Sequence, residues 1–450
     1  MESKKLNEKI KLKYVLSDKG YIRGPFGSAL RRNEMLTEGI PVYEQQNAIC
    51  DNRIFRYFID ENKYNTLERF TVKPGDLIIS CSGTVGKVSI IKNNDPKGII
   101  SQALLILRVN ENIILPEFLK YFFSSYQGYN SLVSRSTGSV QVNISKRQVI
   151  ENIPISVPKL NVQKKIVNIL KIIDKKIELN NEINNNLEKT IRTYFVTKFI
   201  KFYGIPSKDI DMVNDTEIPK GWKIGHFEDM IEEIIPGDWG KEEKIGNYTD
   251  LIYCIRGMDI PNLKKGNLIE MAKRYVITKN HENKKIQHND LVIELSGGTP
   301  TQSTGRITLI TKELLDFYDN DILCTNFCKI IRTKDIFKYF VYYYWDYLYE
   351  QNRMFAYENG TTGIKNLDYK ALIKKEELVI PPETELNKFN NTINDILIKI
   401  YKNGVEITKL TKLRDTLLPK LMSGEIDVSG INFDFLNSFF HLLCTGKNNS

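Results

Sequence analysis

The sequence predicts an α+β protein in which two similar, mixed strand-rich α/β globular domains are separated by two long helices that pair as a coiled coil. Residues 160–202 carry apolar side chains at alternating spacings of four and three, and residues 383–421 repeat this pattern. Spacings that average about 3.5 residues form the narrow seam of a coiled coil rather than the broader face of a surface helix. The segments that precede the two helices share one order of short apolar runs and turns. A duplicated unit of domain plus helix therefore predicts the fold.

The duplication also predicts where the domains begin and end. The tail after the second helix is apolar in patches and fits no part of the repeat, so a frayed terminus is the default expectation. The predicted segments are a first domain (1–158), a first spacer helix (159–203), a linker (204–219), a second domain (220–382), a second spacer helix (383–426) and a tail (427–450).

The first domain is predicted to be a set of short strands joined by turns. Its apolar runs are bounded by glycine, proline and polar residues, which is typical of strands. Residues 116–125 fit a helix, because Pro116 can occupy its first turn. The predicted strands are 40–43, 77–81, 88–91, 99–109 and 153–158, and the predicted turns or loops are 21–30, 82–87 and 136–144.

The second domain repeats this order with different loops. The apolar run that ends at residue 293 stands where residues 75–79 stood, and residues 335–350 replace the first helical segment. The glycine-rich loop is longer, because residues 296–306 replace residues 82–87. The two halves thus differ far more in their loops than in their long helices.

Each seam is interrupted by an asparagine at the corresponding position, Asn180 in the first helix and Asn403 in the second. A buried asparagine lowers the stability of a coiled coil but fixes its register, since a misaligned amide loses its hydrogen-bonding partner. Two unrelated amphipathic helices in a helical core are the alternative. The shared offset and the shared asparagine favour a paired coil.

Length and composition bound the class of protein. A chain of 450 residues, 41% hydrophobic and 26% charged, can form two or three domains with their own cores. No run approaches the length of a membrane span, and the N-terminal segment lacks the apolar core of a signal peptide, so a cytoplasmic protein without a membrane segment is expected. The net charge of +9 is compatible with a polyanionic partner.

The sequence offers no catalytic motif and no metal-binding spacing. The glycine-rich run 83–87 ends in lysine, but Val88 follows where a phosphate-binding loop has serine or threonine. Cys324 and Cys328 lack a second ligand pair, so core packing is favoured over zinc. The six cysteines have no framework spacing, which predicts reduced thiols. We therefore predict that the chain is not an enzyme and holds no cofactor of its own.

Several segments resemble, in order, the specificity subunit of type I restriction–modification systems. The resemblance covers roughly residues 10–428, in both halves, and it rests on the duplicated order of the motifs rather than on any single one. The segments are YIRGPFGSAL, IPVYEQQN, GDLIISCSGTVGK and GSVQVNISKRQVIENIPISVPKLNVQKKI in the first half, IPKGWKIGHFEDMI at the start of the second half, and KLTKLRDTLLPKLMSGEIDV at the end.

This resemblance implies a function in DNA recognition. Each domain would be a target recognition domain that reads one half of a bipartite, asymmetric sequence in double-stranded DNA. The two long helices would pair antiparallel, space the domains and dock two modification (methyltransferase) subunits. Restriction (translocase and nuclease) subunits would complete the complex, and S-adenosylmethionine, ATP and Mg²⁺ would be bound by these partners.

An antiparallel pair centred on the asparagines predicts the contacts along the seam. The two asparagines would face each other, and apolar side chains would meet beside them. The predicted pairs are Asn180 with Asn403, Ile177 with Ile407, and Ile173 with Leu410.

In such domains phosphate contacts position the protein, and a few side chains at base edges specify the sequence. The candidates are mostly residues of polar or glycine-rich loops, because a rigid scaffold presents loops to a partner. For each of them a solvated surface role is the alternative, and for the tryptophan a role in the core. They are Arg23, Ser82, Gly83, Thr84, Lys87, Arg135, Gln141 and Asn143 in the first domain, and Trp239, Arg256, Ser296, Gly297, Gly298, Thr299, Thr301, Arg306, Thr362 and Lys365 in the second.

Two other functions compete with that of a DNA-recognition subunit. A self-contained DNA-modifying or cleaving enzyme would need a catalytic motif in one of the domains. A structural coiled-coil adaptor would bind proteins only. DNA affinity that falls steeply with added salt would indicate phosphate contacts, whereas an adaptor would retain no DNA.

Overall fold

The computed structural model describes residues 9–135, 142–213, 216–299, 301–360 and 365–431. The described residues form two compact units, the first within 1–176 and 411–450 and the second within 177–410. Each unit combines most of one predicted domain with a part of each long helix. The predicted domain limits themselves remain a prediction.

The first unit is built from short strands and helices. Its strands are β1 (Lys9–Lys11), β2 (Leu16–Arg23), β3 (Ile40–Tyr43), β4 (Phe58–Ile59), β5 (Leu77–Ser80), β6 (Val88–Ile90), β7 (Ile99–Ile100), β8 (Leu104–Val109), β9 (Val133–Arg135), β10 (Val142–Ile144) and β11 (Pro154–Ser156). Its helices are α1 (Gln45–Ile49), α2 (Glu61–Thr66), α3 (Pro116–Ser124), α4 (Tyr126–Leu132) and α5 (Arg147–Glu151), and the long helix α6 (Leu160–Phe195) begins in it.

Strand β5 lies in the middle of an antiparallel four-stranded sheet that has apolar layers on both faces. Successive side chains of a strand point to opposite faces. Leu77 and Ile79 accordingly join the larger core, which includes Phe118 of α3, whereas Ile78 joins a smaller core with Val72. All four residues of β5 are buried, which explains its continuous apolar run.

The second unit has a similar inventory. Its strands are β12 (Ile210–Val213), β13 (Thr216–Pro219), β14 (Lys223–Gly225), β15 (Ile231–Pro236), β16 (Tyr248–Ile255), β17 (Ala272–Ile277), β18 (Leu291–Glu294), β19 (Ser296–Gly297), β20 (Ile307–Leu309), β21 (Ile322–Cys324), β22 (Cys328–Thr333), β23 (Glu358–Asn359), β24 (Lys365–Leu367) and β25 (Leu378–Ile380). Its helices are α7 (Ile260–Lys264), α8 (Thr278–Lys284), α9 (Lys312–Leu315), α10 (Lys338–Glu350), α11 (Tyr369–Lys375) and most of the long helix α12 (Glu383–Ser423).

Both units have the same sheet topology. The four-stranded sheet has the order β2-β8-β5-β6 in the first unit and β15-β22-β18-β20 in the second. The three-stranded sheet β4-β3-β7 corresponds to β17-β16-β21, and the pair β1–β11 corresponds to β14–β25. The predicted α+β fold with two similar strand-rich domains is therefore confirmed.

A buried ion pair recurs at the same place in both four-stranded sheets. Asp76 directly precedes β5, is fully buried, and accepts two hydrogen bonds of 2.7 Å from Arg108 of β8. Asp290 directly precedes β18 and accepts two hydrogen bonds of 2.9 Å from Arg332 of β22. Neither pair was predicted, because each joins residues of two different strands.

The structure corrects the predicted limits of several elements. The predicted turn over 21–30 begins too early, because Tyr21, Ile22 and Arg23 pair with β8 as the last residues of β2. The predicted strand over 99–109 is divided into β7 and β8, which belong to different sheets. The predicted loop over 136–144 ends too late, since Val142–Ile144 form β10.

The predicted linker over 204–219 contains a hairpin, because Ile210 of β12 pairs with Pro219 of β13. Ile218 of this hairpin packs with Phe202 and Val379 in a small apolar cluster. The burial of these side chains explains why the segment is structured.

The two long helices run antiparallel in each unit, which confirms the predicted coil. In the first unit Leu170 of α6 shares a core with Leu418 of α12, and Arg414 Nη1 lies 3.1 Å from Asp174 Oδ1. In the second unit the rings of Phe195 and Phe389 lie 5.8 Å apart between centroids. Early residues of one helix thus pack on late residues of the other. Helix α6 ends at Phe195 and continues as a π-helical turn, so the predicted end at residue 203 was too late.

The asparagines of the second unit form a register that differs from the predicted one. Asn403 Nδ2 donates to Asn184 Oδ1 at 2.8 Å, and Asn184 Nδ2 donates to the Ile400 carbonyl oxygen at 2.9 Å. Asn180 instead donates to Glu406 Oε2 at 2.8 Å. The predicted pairing of Asn180 with Asn403 was wrong, because Asn184, one helical turn further along α6, accepts the hydrogen bond from the Asn403 amide. Among the other predicted seam residues Ile173 is buried, and those that are half-buried are Ile177, Ile407 and Leu410.

We expect the substitution Asn184→Ala to lower the free energy of unfolding by about 1–3 kcal/mol, because it leaves the buried Asn403 amide without its acceptor. Urea unfolding of the full chain measures the loss. The matched control is Asn186→Ala on the exposed side of α6, which should change stability by about 0.5 kcal/mol or less. Equal losses in the two variants would contradict a structural role for the asparagine pair.

Candidate nucleic-acid interface

One edge of the four-stranded sheet brings the predicted loops of the first unit together. Strands β2 and β5 end at this edge and β8 begins there, because neighbouring strands run antiparallel. Three backbone hydrogen bonds join the loops: Gly24 N–H donates to the Leu104 carbonyl at 3.0 Å, Cys81 N–H to that of Ala103 at 2.9 Å, and Ser101 N–H to that of Tyr43 at 2.8 Å. We call the loops joined in this way the reading edge of the unit.

Ser80, the last residue of β5, shapes the loop over residues 81–87. Its buried hydroxyl donates to the Thr84 carbonyl oxygen at 2.6 Å and accepts from the Lys87 N–H at 3.0 Å. Gly86 has a φ of +80°, and a Cβ there would lie 2.9 Å from the ring of Tyr129, so only glycine fits. The loop therefore presents exposed groups that can contact phosphate, namely Ser82, Gly83, Thr84 and Lys87.

Arg23 lies at the same edge, at the end of β2. Its Nη1 donates to the Leu104 carbonyl oxygen at 3.0 Å, and its guanidinium lies 5.6 Å from the ring centroid of Phe26. Burial raises the pKa of the neighbouring Cys81 thiol to about 11, against the opposing effect of Arg23. The thiol is therefore neutral at physiological pH and is no nucleophile.

The other candidates of the first unit lie on or between β9 and β10. Arg135 and Asn143 belong to these paired strands, but their side chains lie outside the described part of the structure. Gln141 lies outside the described residues altogether. Their predicted contacts stay predictions.

The second unit builds its reading edge with an equivalent bonding scheme. Leu295 N–H donates to the Phe327 carbonyl at 2.8 Å, as Cys81 does to Ala103, and Thr325 N–H donates to the Ile255 carbonyl at 2.9 Å, as Ser101 does to Tyr43. Asp238 N–H donates to the Cys324 carbonyl at 2.7 Å. The two units thus position their loops alike.

Trp239 follows β15 at this edge. It is half-buried and packs on the small core that contains Ile252, Val276 and Leu323. The guanidinium of Arg274 lies 3.8 Å from its ring centroid. Both predicted roles, core aromatic and wall of a groove, are compatible with this position.

The glycine-rich loop after β18 is partly a strand and partly exposed. Ser296 and Gly297 form β19, which pairs with Asn366 and Lys365 of β24. Gly298 is half-buried, and the exposed tip contains Thr299 and Thr301. Thr362, in the predicted loop opposite, lies outside the described residues.

Three basic residues predicted to contact DNA have acidic partners within the second unit. Arg306 pairs with the buried Glu294 through two hydrogen bonds. Lys365 Nζ lies 2.9 Å from Glu358 Oε2, and Arg256 Nη2 lies 2.9 Å from Asp259 Oδ1. Asp259 is 4% exposed and Glu294 is 2% exposed, so these pairs hold the scaffold in place. Their contact with DNA stays a prediction.

The reading edges also contain exposed aromatic residues that were not predicted from the sequence. Phe26 in the first unit is 59% exposed, and Phe327 in the second is 62% exposed. Each lies in a loop that makes the bonds of its edge. In the sequence, each of these aromatic residues stands beside a glycine or an asparagine near an apolar run. This pattern does not distinguish an exposed aromatic ring from one that is buried in the core.

Two further properties concern the described part of the chain. Within residues 9–431, apart from the segments left undescribed, no group of His, Cys, Asp or Glu side chains is arranged to hold a metal ion. None of the helices that the structure describes has the length and apolar character needed to cross a membrane.

Known proteins share both sequence and fold with this chain. The family model for the type I restriction modification DNA specificity domain matches residues 9–189. The MjaIX type I restriction enzyme specificity subunit of Methanocaldococcus jannaschii is 27% identical over 388 residues, which cover 82% of this chain and 84% of that protein. The HindI specificity subunit of Haemophilus influenzae is 21% identical over 420 residues, with 79% and 87% covered.

A solved structure has the same fold. The S subunit of a type I restriction–modification system from M. genitalium matches with a TM-score of 0.55 and 13% identity, over 95% of this chain and 99% of that one. The curated relatives are named as specificity subunits of type I restriction enzymes, which confirms the prediction that this chain is not itself an enzyme. The family model over residues 9–189 and the two specificity subunits together confirm the predicted resemblance of this chain to specificity subunits of type I restriction–modification systems.

Proposed function

We propose that this chain is the sequence-specific DNA-binding subunit of a type I restriction–modification complex and that it reads a bipartite, asymmetric target. One half of the target would be read by the domain of residues 1–158 and the other half by the domain of residues 220–382. A complex of this kind meets its DNA in the cytoplasm.

One observation carries this proposal: the two reading edges have a common scaffold and different tips. Equivalent backbone bonds hold the loops in both units, but Ser80 closes a short loop in the first and the Glu294–Arg306 ion pair closes a longer loop in the second. Base edges are distinguished by the donors, acceptors and apolar groups that reach them. Two different sets of exposed groups on one scaffold fit two different half-sites, which is an asymmetric target.

The charge of the chain supports the DNA partner. A net charge of +9 favours a polyanion, and the exposed Lys87 ends the loop that follows β5 in the first unit. Phosphate contacts by such groups supply affinity without sequence information, whereas the loop tips supply discrimination.

The partner proteins follow from the same proposal. The modification subunits, two of them, would dock on the exposed face of the paired helices, which carries charged residues such as Lys171, Glu178 and Lys189. These subunits would bind S-adenosylmethionine, and the restriction subunits would bind ATP and Mg²⁺. The relatives are named as subunits of restriction enzymes, which supports assembly of this chain into a complex of the same kind.

Exchange of one domain tests the proposal. We expect that replacing residues 220–382 by the matching region of a relative changes one half of the methylated target and leaves the other half as it was. Methylome sequencing of cells that carry the complex with either subunit measures both halves at once. The matched control replaces residues 1–158 instead and should change the opposite half. A change in both half-sites from a single exchange, or in neither, would refute the proposal.

A further inference from the structure

The loop over residues 295–305 of the second unit is closed at its base by a buried ion pair. Glu294 is the last residue of β18 and is 2% exposed. Arg306, directly before β20, donates from Nε to Glu294 Oε2 at 2.8 Å and from Nη2 to Oε1. The backbone N–H of Glu294 also donates to the Arg306 carbonyl oxygen at 2.9 Å. The two ends of the loop are therefore joined twice.

The surroundings of the Glu294 carboxylate are shaped to accommodate it. A Cβ at Gly257, or one at Gly297, would lie 2.7 Å from Glu294 Oε1, so the space for a side chain at both positions is taken by the carboxylate. Gly257 follows the candidate Arg256, and Gly297 belongs to the candidate loop itself. The carboxylate thus lies between two segments of the reading edge and fixes the position of both.

The remainder of the loop is also anchored, which limits its exposed part. Trp345 Nε1 donates to the Gly305 carbonyl oxygen at 2.8 Å, and Thr304 N–H donates to Glu358 Oε1 at 2.6 Å. Ser303 and Thr304 are buried. Among the described residues of the loop, those that are exposed are Thr299, Thr301 and Gln302, and we call them its tip.

The first unit closes its loop without charges. Ser80 holds the position in β5 that corresponds to Glu294 in β18, and its hydroxyl closes the loop by donating to the Thr84 carbonyl oxygen and accepting from the Lys87 N–H. A defect in the ion pair should therefore affect one half-site only.

We propose that Glu294 and Arg306 are positioning residues that determine which bases the second domain accepts, and that Arg306 makes no contact with DNA. This inference rests on the proposed function. A bidentate guanidinium–carboxylate pair fixes direction as well as distance, and lysine cannot reproduce its two parallel bonds. Any shift at the base of the loop displaces the exposed tip, so discrimination between bases is lost before affinity for phosphate.

The test uses the full chain assembled with its modification subunits, and two DNA libraries in which one half-site at a time is randomised. For Arg306→Lys and for Glu294→Gln we expect discrimination at the second domain's half-site to fall on the order of tenfold, as for one lost base contact. Discrimination at the first half-site should stay within about twofold, because the two half-sites are separate. The slope of log affinity against log salt should not change, whereas losing a phosphate contact would reduce it by about one.

The matched control is Arg332→Lys, which weakens the other buried arginine–carboxylate pair of the same sheet, away from the reading edge. It should lower the midpoint of thermal unfolding without altering discrimination. Unchanged discrimination in Arg306→Lys and Glu294→Gln, or a salt slope reduced by about one in Arg306→Gln, would overturn the inference. A wild-type complex that selects no sequence at all would instead refute the proposed function.

Discussion

The substitution Arg108→Met is expected to lower the free energy of unfolding by about 3–5 kcal/mol, because it leaves a buried carboxylate without its countercharge. Asp76 is fully buried, and both of its oxygens accept from Arg108 at 2.7 Å. The only other hydrogen bond that the structure gives this carboxylate among the described residues comes from the Lys73 N–H, at 2.7 Å. Methionine fills much of the volume of arginine, so lost charge rather than a cavity would cause the effect.

The loss should depend on pH in a defined direction. Burial raises the pKa of the Asp76 carboxyl, and Arg108 counteracts this effect. Without Arg108 the pKa in the folded state rises further above that of the unfolded chain. Because the pKa of this carboxyl is higher in the folded than in the unfolded chain, its protonation favours the folded state. The destabilisation of the variant therefore grows as pH rises from the pKa of the unfolded state through that of the folded state. We therefore expect a smaller loss near pH 4 than at pH 7, relative to the wild type at each pH.

Urea unfolding of the full chain at the two pH values measures both effects. The matched control is Arg147→Met, which removes an exposed pair with Glu151 in which the arginine side chain is 60% exposed. Exposed pairs of this type contribute about 0.3–0.5 kcal/mol. If the two variants lost the same stability, or if the loss in Arg108→Met did not change with pH, the buried pair would not have the role assigned to it.

The second unit shows why this pair could not be predicted from the sequence. An aspartate precedes an apolar strand in both halves, at Asp76 and at Asp290, and this repeat was visible. Its meaning depends on Arg108 and Arg332, which lie on a neighbouring strand far along the chain. Hydrophobic periodicity predicts strands but gives no register between them. The ion pairs therefore appear only in the folded structure.

The positions of the loops that form the reading edges could be predicted from the sequence, because they depend on local residue patterns. Glycine and small polar residues after an apolar run mark the loops at 82–87 and 296–306, and the structure places both at the same edge of equivalent sheets. The role of each cation was not predictable. Arg306, Lys365 and Arg256 resemble free basic loop residues in the sequence, but each has an acidic partner in the folded chain. The predicted register of the two long helices was wrong for a similar reason. Asn180 and Asn184 lie one helical turn apart on α6, and only the packing of the helices shows that Asn184 is the partner of Asn403.

The substitution Gly404→Ala is expected to destabilise the protein by about 2 kcal/mol, although alanine is the better helix former by about 1 kcal/mol. Gly404 lies in α12, and a Cβ there would lie 1.7 Å from the carbonyl oxygen of Gly266. Overpacking of a closed contact costs about 1–3 kcal/mol and more where backbone must move. The contact therefore outweighs the gain in helix propensity.

Neither side of this contact can move away easily. Gly266 has a φ of +76°, and a Cβ of its own would lie 2.9 Å from Ile400 Cγ2, so the turn is already pressed against α12. Thermal and urea unfolding measure the loss, with Gly430→Ala as the control, since nothing lies within 4 Å of a Cβ at Gly430. A gain in stability for Gly404→Ala would mean that the turn yields. Under the proposed function, the loss should weaken discrimination at the half-site of the second domain before that of the first, because this turn joins the second domain to α12.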